Sequence, residues 1–544
     1  MIYLDIETNL AHDKIWCAVT KRDGEYHVWT DPHGMQDYIG DDKVCAHNLI
    51  GFDAKVLREV WNINVTLNQA TDTLVMSRLF NPNVEGGHSL KAWGIRLGFD
   101  KMDFDVEDFD GGLTTEMLEY CKRDVDVLER VHKHLVHEMG EGWTQSIALE
   151  HEVAMHMARQ ERNGFKLNVR YATELLTGFK QRMFVIEVKL QEVFPPIVTE
   201  RWSEKTGKRL KDHVEEFNVG SRQQIAKRLQ SLGVKFTDTT EKGQIIVNEK
   251  VLEGIDLPEA KLINEYLMLQ KRVGLVESWL DAADDEGRVH GRVISNGAVT
   301  GRMTHQSPNM GQIPSVNSPF GKECRSCWTV DEGNVLVGTD LSGIELRCLA
   351  HYMQDDDYTK ELLDGDIHTA NQHAAGLETR AQAKTFIYAL LYGAGAAKIG
   401  SIAGGNARQG QELIDKFMGN TPKLQQLLLK VQRIASKGYV PALDGRKIRI
   451  RSEHAALNSL LQSCGAIIAK QWCVEAHKML RRAKVPVKQV AFVHDEIQLE
   501  VPKKYGEIVA DIMTRASIKA GDVLGFRVPA ESESKIGTTW FDTH

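Results

Sequence analysis

The chain has 544 residues, 42% hydrophobic and 26% charged, with a formal net charge of −8. That is ordinary globular composition at a length suited to roughly two to four domains. The acidic balance excludes a polyanion-binding surface spread over the whole chain, so any such site must come from local basic clusters. The opening MIYLDIETNL has neither the basic nor the apolar region of a secretory signal, and no apolar run reaches membrane-span length. Eight scattered cysteines fit a reducing compartment better than a disulfide framework. Cys324 and Cys327 form one C-x-x-C with no second pair or nearby histidine, which predicts ordinary thiols rather than zinc ligands.

Residues 1 to 140 alternate short strand patterns (MIYLDIET, DKIWCAVT, EYHVWT) with helical ones, ending in TEMLEYCKRDVDVLERVHKHLVHEM, and predict an α/β domain. From Gln145 the pattern changes to long amphipathic helices, SIALEHEVAMHMARQERNG and YATELLTGFKQRMFVIEVKLQEVF. The polar, turn-rich stretch PPIVTERWSEKTGKRLKDHVEEFNVGSRQQ predicts a connection, and KLINEYLMLQKRVGLVESWL a further helix. Strand signals return at NVLVGTDL and VKQVAFVHDEIQLEVP, bracketing a mostly helical region, which predicts an α+β body.

Two sets of carboxylates carry chemistry. In YLDIET, Asp5 and Glu7 leave one face of a strand, where a pair of hard oxygen donors suits Mg²⁺. CAHNLIGFDAKVL places Asp53, and YCKRDVDVL places Tyr120 and Asp124 one helical turn apart. Downstream, NVLVGTDLSGIELR predicts a strand ending at Asp340, a turn through Ser342 and Gly343, and a helix carrying Glu345. VAFVHDEIQLEV joins two strands through His494, Asp495 and Glu496, where apolar flanks make carboxylates costly unless a metal or partner neutralises them. Between these, RAQAKTFIYALLYGAG spaces Arg380, Lys384, Tyr388 and Tyr392 four apart along one helical stripe, a face able to grip an anion.

The D-x-E, N-x-x-x-x-D and Y-x-x-x-D order resembles DEDD-type 3′–5′ exonucleases, as do TDTLVMSRLF, with Asp72, and HSLKAWGIRLG. The segments TDLSGIELR, RAQAKTFIYALLYGAG and VHDEIQLE resemble motifs A, B and C of family A DNA polymerases. NGAVTGRMTHQSPNMGQIPSVNSPFG, GDIHTANQHAAGL and DGRKIRIRSEHAALNSLLQSCGAI are similar to the branch found in podovirus-type bacteriophages. The resemblance spans nearly the whole chain. It implies a ribonuclease H-like exonuclease at residues 1–140 and a right-hand polymerase at 141–544, with thumb at roughly 160–282, palm at roughly 283–352 and 459–544, and fingers at roughly 353–458.

The same resemblance implies roles. Asp340, Asp495 and the backbone carbonyl of Leu341 hold two Mg²⁺ (or Mn²⁺) ions, with Glu496 as an accessory acid. Asp5, Glu7, Asp53 and Asp124 hold a second metal pair, with Tyr120 positioning the attacking water. Arg380, Lys384 and His368 meet the triphosphate of an incoming dNTP, Tyr388 lies near the sugar in hydrogen bond to Glu345, and Tyr392 stacks where the template base enters. Glu345 occupies the space of a ribose 2′-OH, and tyrosine at 388 resembles the branch that tolerates a missing 3′-OH.

Arg302, Asn309, Gln312, Gln462 and His494 match minor-groove probes of the primer–template end, which test pair geometry without reading sequence. Lys271 and Arg272 match thumb contacts to the duplex. Lys447, Arg449 and Arg451 alternate along one predicted strand face, as a phosphate-tracking stripe or a solvated edge. The implied partners are primer–template DNA, dNTPs and a phage helicase–primase, with the protein acting as a monomer in the host cytoplasm. The thioredoxin-dependent type carries a long basic thumb insertion. Here the connection from VFPP to FNVGSRQQ is short and includes acidic VEE, so thioredoxin is not expected as a partner.

Overall fold

The computed structural model describes residues 1–102, 110–450 and 452–544; Arg451 of the basic stripe lies outside them. The chain divides into two compact units, the first comprising Met1–Phe165, His290–Gln312 and Val330–His544, the second Lys166–Val289 and Ile313–Thr329.

The first unit begins with a five-stranded sheet in the order Glu25–Trp29, Ile15–Arg22, Ile2–Thr8, Val44–Ala46, Ala70–Asp72. Ile2–Thr8 runs antiparallel to Ile15–Arg22 and parallel to Val44–Ala46. The two-residue period of the first strand divides its side chains between two cores. Ile2, Leu4 and Ile6 pack with Val56, Leu57 and Met35. Tyr3 packs on the other side with Val125, Leu128 and Val131 of the helix Thr115–Met139. Asp5 and Glu7 share the parity of Tyr3 and so share its side of the sheet.

The larger core is built around the helix Ala456–Arg482, which is apolar on nearly all sides and buried along most of its length. Against it lies a four-stranded antiparallel sheet in the order Lys488–Val493, Glu496–Pro502, Asn334–Leu341, Ser532–Gly537. The edge strand Ser532–Gly537, in the polar segment ESESKIG, carries no apolar alternation, so its sequence does not announce a strand. The bracketed region is helical, from Ile344–Met353 through Arg380–Leu391 to Pro422–Ala435.

In the second unit the helices Val169–Val193 and Pro258–Ala282 pack together. The stretch expected as a plain connection contains a hairpin, Ile197–Trp202 with Arg209–Glu215. Its residues are exposed on both faces, so no buried apolar face announced it. Cys324 and Cys327 are buried here as free thiols.

Candidate active sites

The N-terminal carboxylates converge. Ligand atoms of Asp5, Glu7 and Cys121 lie within 4.8 Å of one another, and the Cys121 thiol donates to Asp5 at 3.5 Å. Asp53 opens the helix Asp53–Trp61, and Asp124 faces the cluster from Thr115–Met139. Burial raises all four acids, and neighbouring acids add to it for Asp5, Glu7 and Asp53. Glu7 is pushed up to about 8 by burial and then Asp124, and Asp53 up to about 7 by burial with Asp72 adding. Asp5 lies well above the carboxylate range through burial, Glu7, Asp124 and Asp53.

Lys101, which sequence reasoning missed, is set among them. Its ammonium pairs with Asp124 and lies 4.8 Å from the Tyr120 ring centroid. Burial raises Asp124 while Lys101 opposes the shift. Asp72 has a structural role. Its carboxylate accepts from Leu74 N and Val75 N, capping Thr73–Phe80, and from Asn48 N at 3.1 Å and Ile50 N at 3.0 Å, which shapes the turn delivering Asp53.

The second cluster sits at one end of the four-stranded sheet. Asp340 pairs in register with Glu496 on one neighbouring strand and Glu533 on the other. Val493 and Glu496 pair directly, so His494 and Asp495 form a two-residue hairpin loop with His494 at φ 58°. A glycine ordinarily fills that left-handed position, and histidine there stores about 1–3 kcal/mol. Leu341 N–H donates to Asp495 O at 3.0 Å, locking the two acidic segments together. Asp340 is pushed up to about 7 by burial and then Asp495, Glu496 and Glu533; Asp495 rises to about 6, chiefly by burial. Glu496 is already committed: its Oε1 accepts from Gln498 at 2.6 Å and from the Trp540 indole, with His544 at 3.2 Å.

The helix Arg380–Leu391 starts with a capping box, Thr379 with Gln382, so its exposed cations stand at a well-formed N-terminus. Arg380 pairs with Asp366 at 2.6 Å, and Lys384 is exposed one turn on. His368 lies at the start of Ile367–Ala375, its ring centroid 6.3 Å from that of Tyr388. The expected Tyr388–Glu345 hydrogen bond is corrected: the phenol that donates to Glu345 Oε1 belongs to Tyr392. The helix ends at Leu391 and Tyr392 turns out of it at φ −81°, ψ 6°, which lets its ring reach across, while Tyr388 stays half-buried a turn earlier. Arg302 Nη2 also holds Glu345 Oε1, at 3.1 Å.

Glu345, Tyr388, Tyr392 and Gln462 line one crevice, and Gln462 donates to Asn458 at 2.9 Å. Asn309 is half-buried, and its Oδ1 accepts from Gly311 N; Gln312 is exposed. His305, also missed, is buried near His494 and held down to about 4, chiefly by burial. Lys271 and Arg272 lie in the second unit, where Lys271 meets Glu249 at 3.3 Å and Arg272 donates to Pro319 O at 3.2 Å. Lys447 and Arg449 are exposed on the strand Lys447–Arg449, each over an aromatic ring.

Among the described residues no helix is long and apolar enough to cross a membrane. The chain is similar to known DNA polymerases. The DNA-directed DNA polymerase of Enterobacteria phage T3 is 32% identical over 707 aligned positions, covering all of both chains. That of Escherichia phage T7 is 34% identical over 87% of each chain. A solved complex, the POL domain of Pol1 from M. smegmatis with DNA primer-template and dNTP, shares the fold at a TM-score of 0.82 and 18% identity, covering 100% of this chain and 95% of that one. The model of DNA polymerase family A matches residues 198–542, and the chain belongs to that family.

Proposed function

We propose that this family A polymerase extends a primer 3′ end with dNTPs at the Asp340–Asp495 cluster and removes misplaced nucleotides at the Asp5–Asp124 cluster. The observation that carries the reading is the Leu341 N–H to Asp495 O bond at 3.0 Å, which holds two crowded carboxylates beside a helix presenting Arg380 and Lys384. In this reading the four-stranded sheet is the palm, the helices between its strands the fingers, the second unit the thumb, and the five-stranded sheet a ribonuclease H-like exonuclease.

The donor sets fit divalent metals. Asp340 and Asp495 are driven up to about 7 and 6, chiefly by burial with neighbouring acids adding, and Lys535 and Arg302 offset this only in part; hard oxygens left short of positive charge suit Mg²⁺ or Mn²⁺. Asp340, Asp495 and the Leu341 carbonyl would hold one pair of ions, and Asp5, Glu7, Asp53 and Asp124 the other. When bound, such ions activate the attacking oxygen and stabilise the leaving one.

The chain's own residues do the rest. Arg380, released from Asp366, and Lys384 grip the triphosphate, the first with a fork and the second as a point charge, with His368 alongside. Glu345, held by Arg302 throughout and by Tyr392 when that ring is turned in, forms an acidic wall against a ribose 2′-OH. Tyr392 must leave Glu345 to stack at the template position. Tyr388 is the sugar contact. Arg302, Asn309, Gln312, Gln462 and His494 face the minor groove of the new pair, and Lys271 and Arg272 the duplex backbone. Glu496, tied by its own hydrogen bonds, acts by repulsion on Asp340. In the exonuclease, Lys101 opposes the burial that raises Asp124, and Tyr120 positions water.

The setting is phage DNA replication in the host cytoplasm by a monomer, with a helicase–primase as partner. One short hairpin occupies the thumb connection, which supports independence from thioredoxin. Primer extension with dNTPs against rNTPs tests the reading: dNTPs are preferred in wild type, and Glu345→Ala narrows the preference. Equal use of both by wild type would overturn it.

A further inference from the structure

A crevice of about 960 Å³, lined by no carboxylate of either cluster, opens between the loop at Thr66–Asn68, the helix Thr144–Asn163 and the end of the helix Ala456–Arg482. Arg159 and Arg162 stand on one helix face three residues apart. Lys478, Arg481 and Lys484 face them from the other side. Lys478 meets Glu152 and Glu475 at 3.4 Å. Among the described residues, Arg159, Arg162, Arg481 and Lys484 have no carboxylate within ion-pair distance. Their proximity has a cost: burial and then Arg162, Arg481 and Arg58 lower Arg159.

Cations commonly sit at helix C-termini, as both helices offer here. Each terminus supplies about half a negative charge, so even with Glu59 and Glu161 acting on Arg162 the four cations leave a positive excess of about +1. Solvation of helix ends therefore does not account for the cluster.

The floor of the crevice gives a second, independent observation. His156, 3% exposed, stacks on His477 with ring centroids 4.0 Å apart and planes at 13°. His477 is satisfied by Gln489 at 2.7 Å, but neither ring nitrogen of His156 has a hydrogen-bond partner among the described residues. Burial first, then His477 and Arg159, pushes His156 down to about 2, so the ring is neutral, with one donor and one acceptor left buried and unsatisfied. Leu67, Met155, Pro486 and Val487 supply apolar wall. Unmatched cations beside a stacked, unsatisfied imidazole and apolar surface match a ligand with an anionic chain and a flat heterocycle. The volume lies at the upper end of the ordinary range for small-molecule sites.

We propose that this crevice binds the polyphosphate chain of a nucleotide, seating a nucleoside triphosphate apart from the polymerase pocket. The test is calorimetric titration of the full chain, without DNA, using dATP, inorganic tripolyphosphate and a 12-nucleotide single strand as separate probes. Wild type should show two dATP sites. Arg159→Ala with Arg481→Ala should weaken one of them at least about tenfold, since two charge-assisted contacts are lost. The Arg159→Lys with Arg481→Lys protein should keep both sites, which controls for folding. Lys384→Ala should weaken the other site. If it leaves both sites intact while the arginine pair removes one, the crevice proposal stands and the nucleotide-pocket reading of Lys384 fails. Tripolyphosphate binding as tightly as dATP would show a site that reads phosphate; preference for dATP would show that the base is read too. The proposal is overturned if the arginine variant keeps both dATP sites, or if it loses affinity for the single strand alone.

Discussion

Replacing Glu150 by Gln is predicted to destabilise the first unit by about 3–5 kcal/mol, the cost of breaking a buried ion pair. Glu150 is fully buried, and its Oε1 meets both Arg446 Nη1 and Lys470 Nζ at 2.6 Å. Asp444 forms an ion pair with Arg446 at 2.6 Å and acts on Lys470 at longer range. Two buried acids thus balance two buried bases, and Glu150→Gln leaves both bases facing Asp444 alone, which puts the loss at the upper end. Adding Lys470→Met removes one charge of each sign and leaves Arg446–Asp444 intact, so the double variant should recover to within about 1–2 kcal/mol of wild type. Urea unfolding followed by tryptophan fluorescence reads this well, because Trp472 is buried on the same helix as Lys470. Lys470 also donates to Gly301 O at 2.7 Å, beside Arg302, so the single variants should incorporate ribonucleotides more readily. A loss under about 1 kcal/mol for Glu150→Gln, or a double variant worse than either single one, would refute the reasoning.

Lys101→Met should lower single-strand exonuclease rate by tenfold or more, on the order of losing one charge-assisted contact, with primer extension unchanged; equal loss of both activities would point to misfolding instead. Tyr388→Phe should strengthen discrimination against dideoxynucleotides in chain-termination assays, and identical behaviour to wild type would remove Tyr388 from the sugar site. Metal-free protein should lose stability as pH rises from about 4 to 8. Asp340, Asp495, Glu7 and Asp53 have folded values of about 7, 6, 8 and 7 against ordinary values of 3.8 to 4.5, so the unfolded chain binds fewer protons across that window. The difference should flatten on adding Mg²⁺ or in the Asp340→Asn with Asp495→Asn protein, as melting curves across pH would show. Thioredoxin should leave product length unchanged in primer extension.

Elements with strong local patterning were legible. The strand before Asp340, the helices Thr144–Asn163 and Pro258–Ala282, and the acid-bearing hairpin at Asp495 follow from periodicity and motif. What was not legible depends on long-range approach. Lys101 joins the N-terminal acids from a loop with no spacing relation to Asp5, and the strand Ser532–Gly537 is polar because it lies at a sheet edge. The resemblance implied Tyr388 as the Glu345 partner; the bond goes to Tyr392 because the helix ends at Leu391 and Tyr392 turns out of it. Asp72, in a segment that resembles the exonuclease family, had no role legible from spacing; it caps the helix Thr73–Phe80 and shapes the turn before Asp53.

The most direct test of two separate active sites is primed-template DNA assayed with wild type, with Asp5→Ala plus Glu7→Ala, and with Asp495→Ala. The account predicts that extension vanishes only in Asp495→Ala, and that primer degradation without dNTPs vanishes only in the Asp5, Glu7 protein. Extension surviving in Asp495→Ala, or degradation surviving without Asp5 and Glu7, would contradict it.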